Sequence, residues 1–198
     1  MRRPRVLTER FNRALVYAAR LHAGQFRKGS TRPYIAHLLG VTSIVLNHGG
    51  DEDEAIAALL HDGPEDQGGL ETLRDIRKKF GAGVAHIVDA CTDTYEDPKP
   101  PWLERKKNYL RHLRHADASV RLVSAADKLY NVREILFDYP SQRDAVFTRF
   151  RGGKEGTIWY YREVARILRR KGPHALVCEL DRAILELERA VARRFSDQ

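Results

Sequence analysis

The stretch Leu59-Leu60-His61-Asp62-Gly63-Pro64-Glu65-Asp66 sets an imidazole beside a carboxylate, then adds two more carboxylates within one helical turn. Ala55, Ile56, Leu59 and Leu60 lead into it at helical spacing, so His61-Asp62 is expected at the buried end of a helix. Gly63-Pro64 should stop that helix, because the residue before proline disfavours α geometry. Glu65-Asp66 is therefore expected on a turn. Metal chemistry needs such a grouping: an imidazole and a carboxylate as ligands, and a second acidic pair to handle water and protons. A His-Asp dipeptide also occurs by chance, so the reading depends on ligands found elsewhere.

Working outward, the eight prolines divide the chain into blocks with helical periodicity, and proline is excluded from helix interiors,. An all-α fold of about eight to ten helices is expected. Thr8 would cap a first helix to about His22, with Phe11, Leu15, Ala18 and Ala19 on its apolar face. A basic, glycine-bearing loop, Gly24 to Pro33, follows. Pro33 suits the first turn of a helix from about Tyr34 to Asn47, where His37 lies among Ile35, Leu38, Leu39 and Val41. Asp51 or Asp53 would cap the helix that ends at His61-Asp62. Beyond it, Leu70, Leu73, Ile76 and Phe80 mark a further helix closed by Gly81. Val84, Ile87 and Val88 mark another, from about Ala82 to Cys91.

Thr92 to Pro101 has no periodicity and is long enough to expect a functional lid. A very basic helix runs from Trp102 to about His115, with Lys106 and Lys107 in it. The next, Ala118 to Asp138, is apolar nearly all round and reads as a central buried helix with Asp127 in its middle. Ser141 to Phe150 and Thr157 to Lys171 follow, joined by a glycine-rich segment (Gly152 to Gly156) expected to be flexible. The last helix, His174 to Phe195, carries the stripe Leu176, Val177, Leu180, Ile184, Leu187 and Val191. That stripe suits core or a homodimer surface. One domain over 1–198 is expected, with its chemical core at about 8–138 and the helices of 141–195 completing the bundle.

Composition bounds the class. Apolar residues are 42% and charged residues 31% of 198, which describes a globular chain with a real core,. The net charge of +8 points to an anionic partner such as a nucleotide, a nucleic acid or a membrane surface,. Cys91 and Cys178 form no Cys-x-x-Cys pattern and are expected to be small buried residues in a reducing compartment. No apolar run approaches a membrane span, and none follows the basic N-terminus, so a cytoplasmic location is expected.

Four polar residues sit inside apolar helical sequence: His37, His61, Asp62 and Asp127. Any one of them could be a satisfied core group. Buried carboxylates are costly unless paired or bound to metal, and four such groups on three helices suit a borderline divalent ion such as Mn²⁺ or Fe²⁺. Asn131 lies four residues after Asp127 and so shares its helical face.

These residues resemble the HD phosphohydrolase superfamily, and within it the stand-alone hydrolases related to RelA and SpoT. The resemblance lies in Ala23-Gly24-Gln25-Phe26-Arg27-Lys28-Gly29, Pro33-Tyr34-Ile35-Ala36-His37-Leu38, Ala58-Leu59-Leu60-His61-Asp62 with Glu65-Asp66, Lys79-Phe80-Gly81, and Ala126-Asp127-Lys128-Leu129-Tyr130-Asn131-Val132-Arg133. It implies an HD-domain helical bundle that removes the 3′-diphosphate of a guanine or adenine nucleotide alarmone as pyrophosphate. It implies one Mn²⁺ on His37, His61, Asp62 and Asp127, with Glu65 and Asp66 orienting and deprotonating water. Arg27, Lys28, Asn131, Lys106 and Tyr160 would contact the substrate. The chain departs from the family's pattern at Gly63-Pro64, where relatives commonly carry larger residues. Two other readings stay open: a different HD nucleotide phosphohydrolase or phosphodiesterase, and a non-catalytic protein binding nucleotide or nucleic acid through its basic surface.

Overall fold

The computed structural model describes residues 6–193. Among these there are ten helices, and the extended pairing is limited to one bridge between Phe26 and Pro33. The helices are α1 (Glu9–Leu21), α2 (Ile35–Asn47), α3 (Glu52–Leu60), the single turn α4 (Gly63–Asp66), α5 (Gly69–Phe80), α6 (Ala82–Cys91), α7 (Trp102–His115), α8 (Ala118–Gln142), α9 (Gly153–Lys171) and α10 (His174–Ala192). None is long and apolar enough to cross a membrane.

α8 is the axis of the bundle, packed by α2, α3, α6, α9 and α10. Its Val123, Ala126, Leu129 and Val132 are fully enclosed. The stripe on α10 lies against α8 and α9, so it is core; Phe195, expected at that helix's end, lies outside the described residues. Thr8 caps α1 by accepting from the Arg10 N–H at 3.2 Å. Asp51, not Asp53, caps α3 and does so as a capping box: it accepts from the Glu54 N–H while Glu54 accepts from its own,.

Several expectations need correction. Gly63-Pro64 ends α3 but also starts α4, because proline's fixed φ suits a first helical turn where no N–H is required,. Glu65 and Asp66 are therefore held on a helical turn. Pro33 precedes α2, whose N-cap is Tyr34. The central helix runs on through Pro140 to Gln142. Pro140 leaves the carbonyl four residues back without its helical donor, the α-helix ends two residues later, and a 3₁₀ segment, Arg143–Arg149, takes over,. The Gly152–Gly156 segment is not a flexible joint: α9 begins inside it. A Cβ on Gly152 would stand 2.6 Å from the Trp102 ring, and one on Gly156 3.0 Å, so both glycines make room for that indole. Ala14, not Ala19, completes the buried face of α1, and Leu39, Leu70 and Cys178 are exposed.

Candidate active site

Three segments meet at one point. α2 contributes His37, the turn between α3 and α4 contributes His61 and Asp62, and the middle of α8 contributes Asp127. The Nε2 atoms of His37 and His61 are 3.4 Å apart. Asp62 Oδ2 lies 3.2 Å from each of them, and Asp127 Oδ1 lies 3.4 Å from His37 and 3.7 Å from His61. Ligand atoms of His37, His61 and Asp127 fall within 4.8 Å of one another, a span that one ion can fill.

The chemistry of this donor set fits a divalent cation. His61 Nδ1 is 2.9 Å from the Ala58 carbonyl, which fixes the proton there and turns the Nε2 lone pair to the centre,. Burial opposes charge on His61, yet Asp62 and Asp127 outweigh it and raise its pKa well above the usual range. The centre thus demands positive charge. The carboxylates are themselves oriented: the Tyr34 hydroxyl donates to Asp62 Oδ2 at 2.7 Å, Asn131 Nδ2 to Asp127 Oδ1 at 2.5 Å, and Lys128 pairs with Asp127 Oδ2. Burial, then the charges of Asp62 and Asp66, push the Tyr34 hydroxyl far up, so it stays a donor.

Glu65 lines the cavity at this centre, and Asp66 lines the adjoining cleft with it. Glu65 accepts from Lys99 Nζ at 2.8 Å and from the Asp93 N–H at 3.2 Å, both from the Thr92–Pro101 loop. Asp66 accepts from Gln25 Nε2 at 2.8 Å. Asp66 stays open to solvent at the cleft mouth, yet the walls desolvate its carboxylate and, with the charge on Asp62, raise its pKa.

From the centre a cavity of about 160 Å³ opens into a cleft of about 530 Å³. Arg27, Lys28, Glu65, Asp66, Lys106, Asn131 and Tyr160 all line the cleft. Lys107 is exposed and lies off its walls. Both ends of the Asn131 amide are engaged, since its Oδ1 accepts from Arg27 at 2.6 Å while its Nδ2 holds Asp127. Arg27 also donates to Glu134 at 2.8 Å and lies over the Tyr34 ring. Lys106 bonds Asp93 at 3.1 Å and sits 4.9 Å from the Tyr160 ring centroid; burial lowers its pKa. Tyr160 is buried, and its hydroxyl has no hydrogen-bond partner among the described residues.

Sequence reasoning did not single out Tyr34, Gln25, Lys99 or Lys128 for the site. Tyr34, Gln25 and Lys128 lie within the quoted motifs, and Lys99 lies in the aperiodic loop, so position was the available signal. Asp93 shares the loop of Lys99, while Arg105, Trp102, Glu134 and Arg149 had no signal of their own and reach the site only through packing.

Comparison with known proteins places this geometry. The chain is 42% identical over 122 residues to the guanosine-3′,5′-bis(diphosphate) 3′-pyrophosphohydrolase MESH1 of Xenopus tropicalis, covering 60% of this chain and 65% of that protein. It is 33% identical over 135 residues to the Drosophila melanogaster MESH1, covering 67% of this chain and 73% of that one. The fold superposes with a TM-score of 0.75 and 27% identity on a solved metazoan ortholog of SpoT described as hydrolysing ppGpp, over 92% of this chain and 98% of that one. Residues 14–157, from the buried face of α1 to the far wall of the cleft, match the HD domain profile. The chain belongs to the HD-domain family.

Proposed function

We propose that the protein is a metal-dependent 3′-pyrophosphohydrolase of purine nucleotide alarmones of the ppGpp type, with ppApp as the second candidate substrate. The observation that carries this reading is the acidic pair Glu65-Asp66, on the helical turn that follows His61-Asp62 and lining a cation-bearing cleft beside the His₂Asp₂ donor set. The likeness to MESH1 over the aligned residues supports it. His37, His61, Asp62 and Asp127 would hold the ion, and their mixed imidazole and carboxylate donors suit Mn²⁺. Its chemistry there is that of a Lewis acid, offsetting negative charge on phosphoryl oxygens.

The remaining work falls to side chains. Glu65 and Asp66 orient a water, and Asp66, held by the neutral Gln25 amide where Glu65 is paired with the Lys99 ammonium, is the carboxylate left to take its proton,. The water oxygen attacks the phosphorus attached to the 3′ oxygen. The P–O3′ bond breaks, the proton taken from water passes from the carboxylate to the 3′ oxygen, and pyrophosphate and a nucleoside 5′-di- or triphosphate are released. Arg27, Lys28 and Lys106 offset charge on the substrate's phosphates. Tyr160 closes the inner wall, and Asn131 holds Asp127 and Arg27 in register.

The test is product analysis. Metal-stripped protein reloaded with Mn²⁺ is incubated with guanosine and adenosine 3′-diphosphate alarmones. Pyrophosphate release that vanishes in Asp62→Ala and Glu65→Ala is expected, and the ratio of the two rates gives base preference. Orthophosphate as the first product would move the protein to another branch of HD phosphohydrolases. Salt-sensitive nucleic-acid binding without hydrolysis of either alarmone would favour a binding protein.

A further inference from the structure

Gln25 sits in the motif Ala23-Gly24-Gln25, and neither the metal centre nor the cations of the cleft account for it. Its backbone is pinned at both sides: its N–H donates to the His22 carbonyl at 3.0 Å, and its carbonyl accepts from the Tyr34 N–H at 2.9 Å. Gly24 supplies the left-handed turn between α1 and this residue at φ +78°,.

The side-chain amide then meets three partners. Its Nε2 lies 2.8 Å from Asp66 Oδ2, and its Oε1 lies 2.6 Å from His22 Nδ1 and 2.7 Å from Gln67 Nε2. One orientation satisfies all three. A carboxylate has nothing to donate, so the amide nitrogen faces Asp66. The oxygen then faces the Gln67 amide and His22 Nδ1, which must carry the ring proton. The His22 ring is 3% exposed and stacked on Tyr34 at 5.0 Å and 10°, so its donor edge is held toward Gln25.

We propose that Gln25, oriented by His22 and Gln67, is a positioning residue for Asp66: it fixes one carboxylate oxygen and leaves the other to receive the proton of the attacking water. The inference rests on the reading of Asp66 as that proton acceptor. The contrast with Glu65 supports a division of labour. Glu65 is paired with the cation Lys99, whereas a neutral amide fixes Asp66 without offsetting its charge,. Placement matters because a reacting carboxylate must be held to within about 0.5 Å of its productive geometry.

The experiment measures kcat, KM and bound Mn²⁺ for Gln25→Leu, His22→Phe, His22→Asn, the double variant His22→Phe/Gln25→Leu, and Asp66→Ala as reference. Loss of the comparable supporting hydrogen bond to a metal ligand costs about 10- to 100-fold. Gln25→Leu is expected to lower kcat by about 10-fold, with KM and metal content close to wild type. His22→Phe keeps the stack on Tyr34 but loses the donor, so kcat falls; His22→Asn, which keeps a donor near the Nδ1 position, restores most of it. Because His22 acts through Gln25, the double variant should be no slower than Gln25→Leu alone. Wild-type kcat in Gln25→Leu beside an inactive Asp66→Ala would overturn the positioning role and leave the function standing. An additive double variant would overturn His22's part in it. Full activity in Asp66→Ala would overturn the reading of Asp66, and this inference with it.

Discussion

Asp127 has four neighbours competing for two oxygens: the imidazoles of His37 and His61, the Asn131 amide and the Lys128 ammonium. Burial opposes the charge on Lys128, but Asp127 outweighs it and holds the lysine's pKa well above its usual value. Lys128 therefore balances Asp127 where a cation at the centre would otherwise do so. Removing one partner of a buried ion pair strands the other at a cost of about 3–5 kcal/mol. Lys128→Met is expected to lower the Tm of the metal-free protein more than that of the Mn²⁺-loaded protein, since binding to the native state restores the lost charge balance. Melting both forms of both proteins tests this; an unchanged gap between loaded and stripped forms would show that Lys128 does not share that task. The two cysteines differ at the same scale. Cys91 lines the inner cavity and burial pushes its thiol up to about 12, while Cys178 is exposed. Only the thiolate reacts, so one thiol should be modified rapidly at pH 8 in the native protein and two after denaturation, as counted with a chromogenic disulfide reagent.

At the scale of elements, the metal-site geometry depends on how closely α2 approaches α8. Gly40 sits in the middle of α2, where a Cβ would stand 1.9 Å from the Tyr130 ring of α8. That ring also packs edge-on against His37, with centroids 5.1 Å apart. A glycine inside a helix costs about 1 kcal/mol relative to alanine, so helix propensity alone favours Gly40→Ala. Overpacking typically costs about 1–3 kcal/mol and here displaces the helix that carries a ligand. Gly40→Ala is expected to lower stability in urea unfolding and to weaken Mn²⁺ binding by titration. A stabilised variant with unchanged metal affinity would show that the Tyr130 ring can move aside freely. The helices themselves were legible in sequence because each has a period and a stop signal: α6 and α7 lie where their patterns put them. Misreadings came at prolines and glycines. Their local meaning depends on a neighbour, as with Trp102 against Gly152 and Gly156.

At the scale of the whole molecule, the charge of +8 is not evenly useful. Many surface cations are paired locally, such as Arg166 with Glu163 and Arg169 with Asp181. Lys28 lines the cleft, as do Arg27, Lys106 and Arg149, which are paired there with Glu134, Asp93 and Asp138. Attraction of a polyanionic nucleotide by such a cleft is screened over about 8 Å at physiological salt. KM for the alarmone should therefore rise several-fold between low and high ionic strength while kcat changes little. A KM flat across that series would mean that the cations act only in direct contact.

Sequence alone determined the all-α class, the order of the helices and the four candidate ligands. Periodicity and the embedding of charge in apolar helices are local properties, carried by neighbours within one or two turns. Tertiary structure decided which cations face the cleft, why Lys106 lines it and Lys107 does not, and which partners hold Glu65, Asp66 and Asp127. Gln25 meets Asp66 41 residues away, and Arg27 meets Asn131 across 104. Such pairings exist only once α1, α2 and α8 have packed. Hydrogen-bond reach is set by distance in space, and no spacing along the chain encodes it.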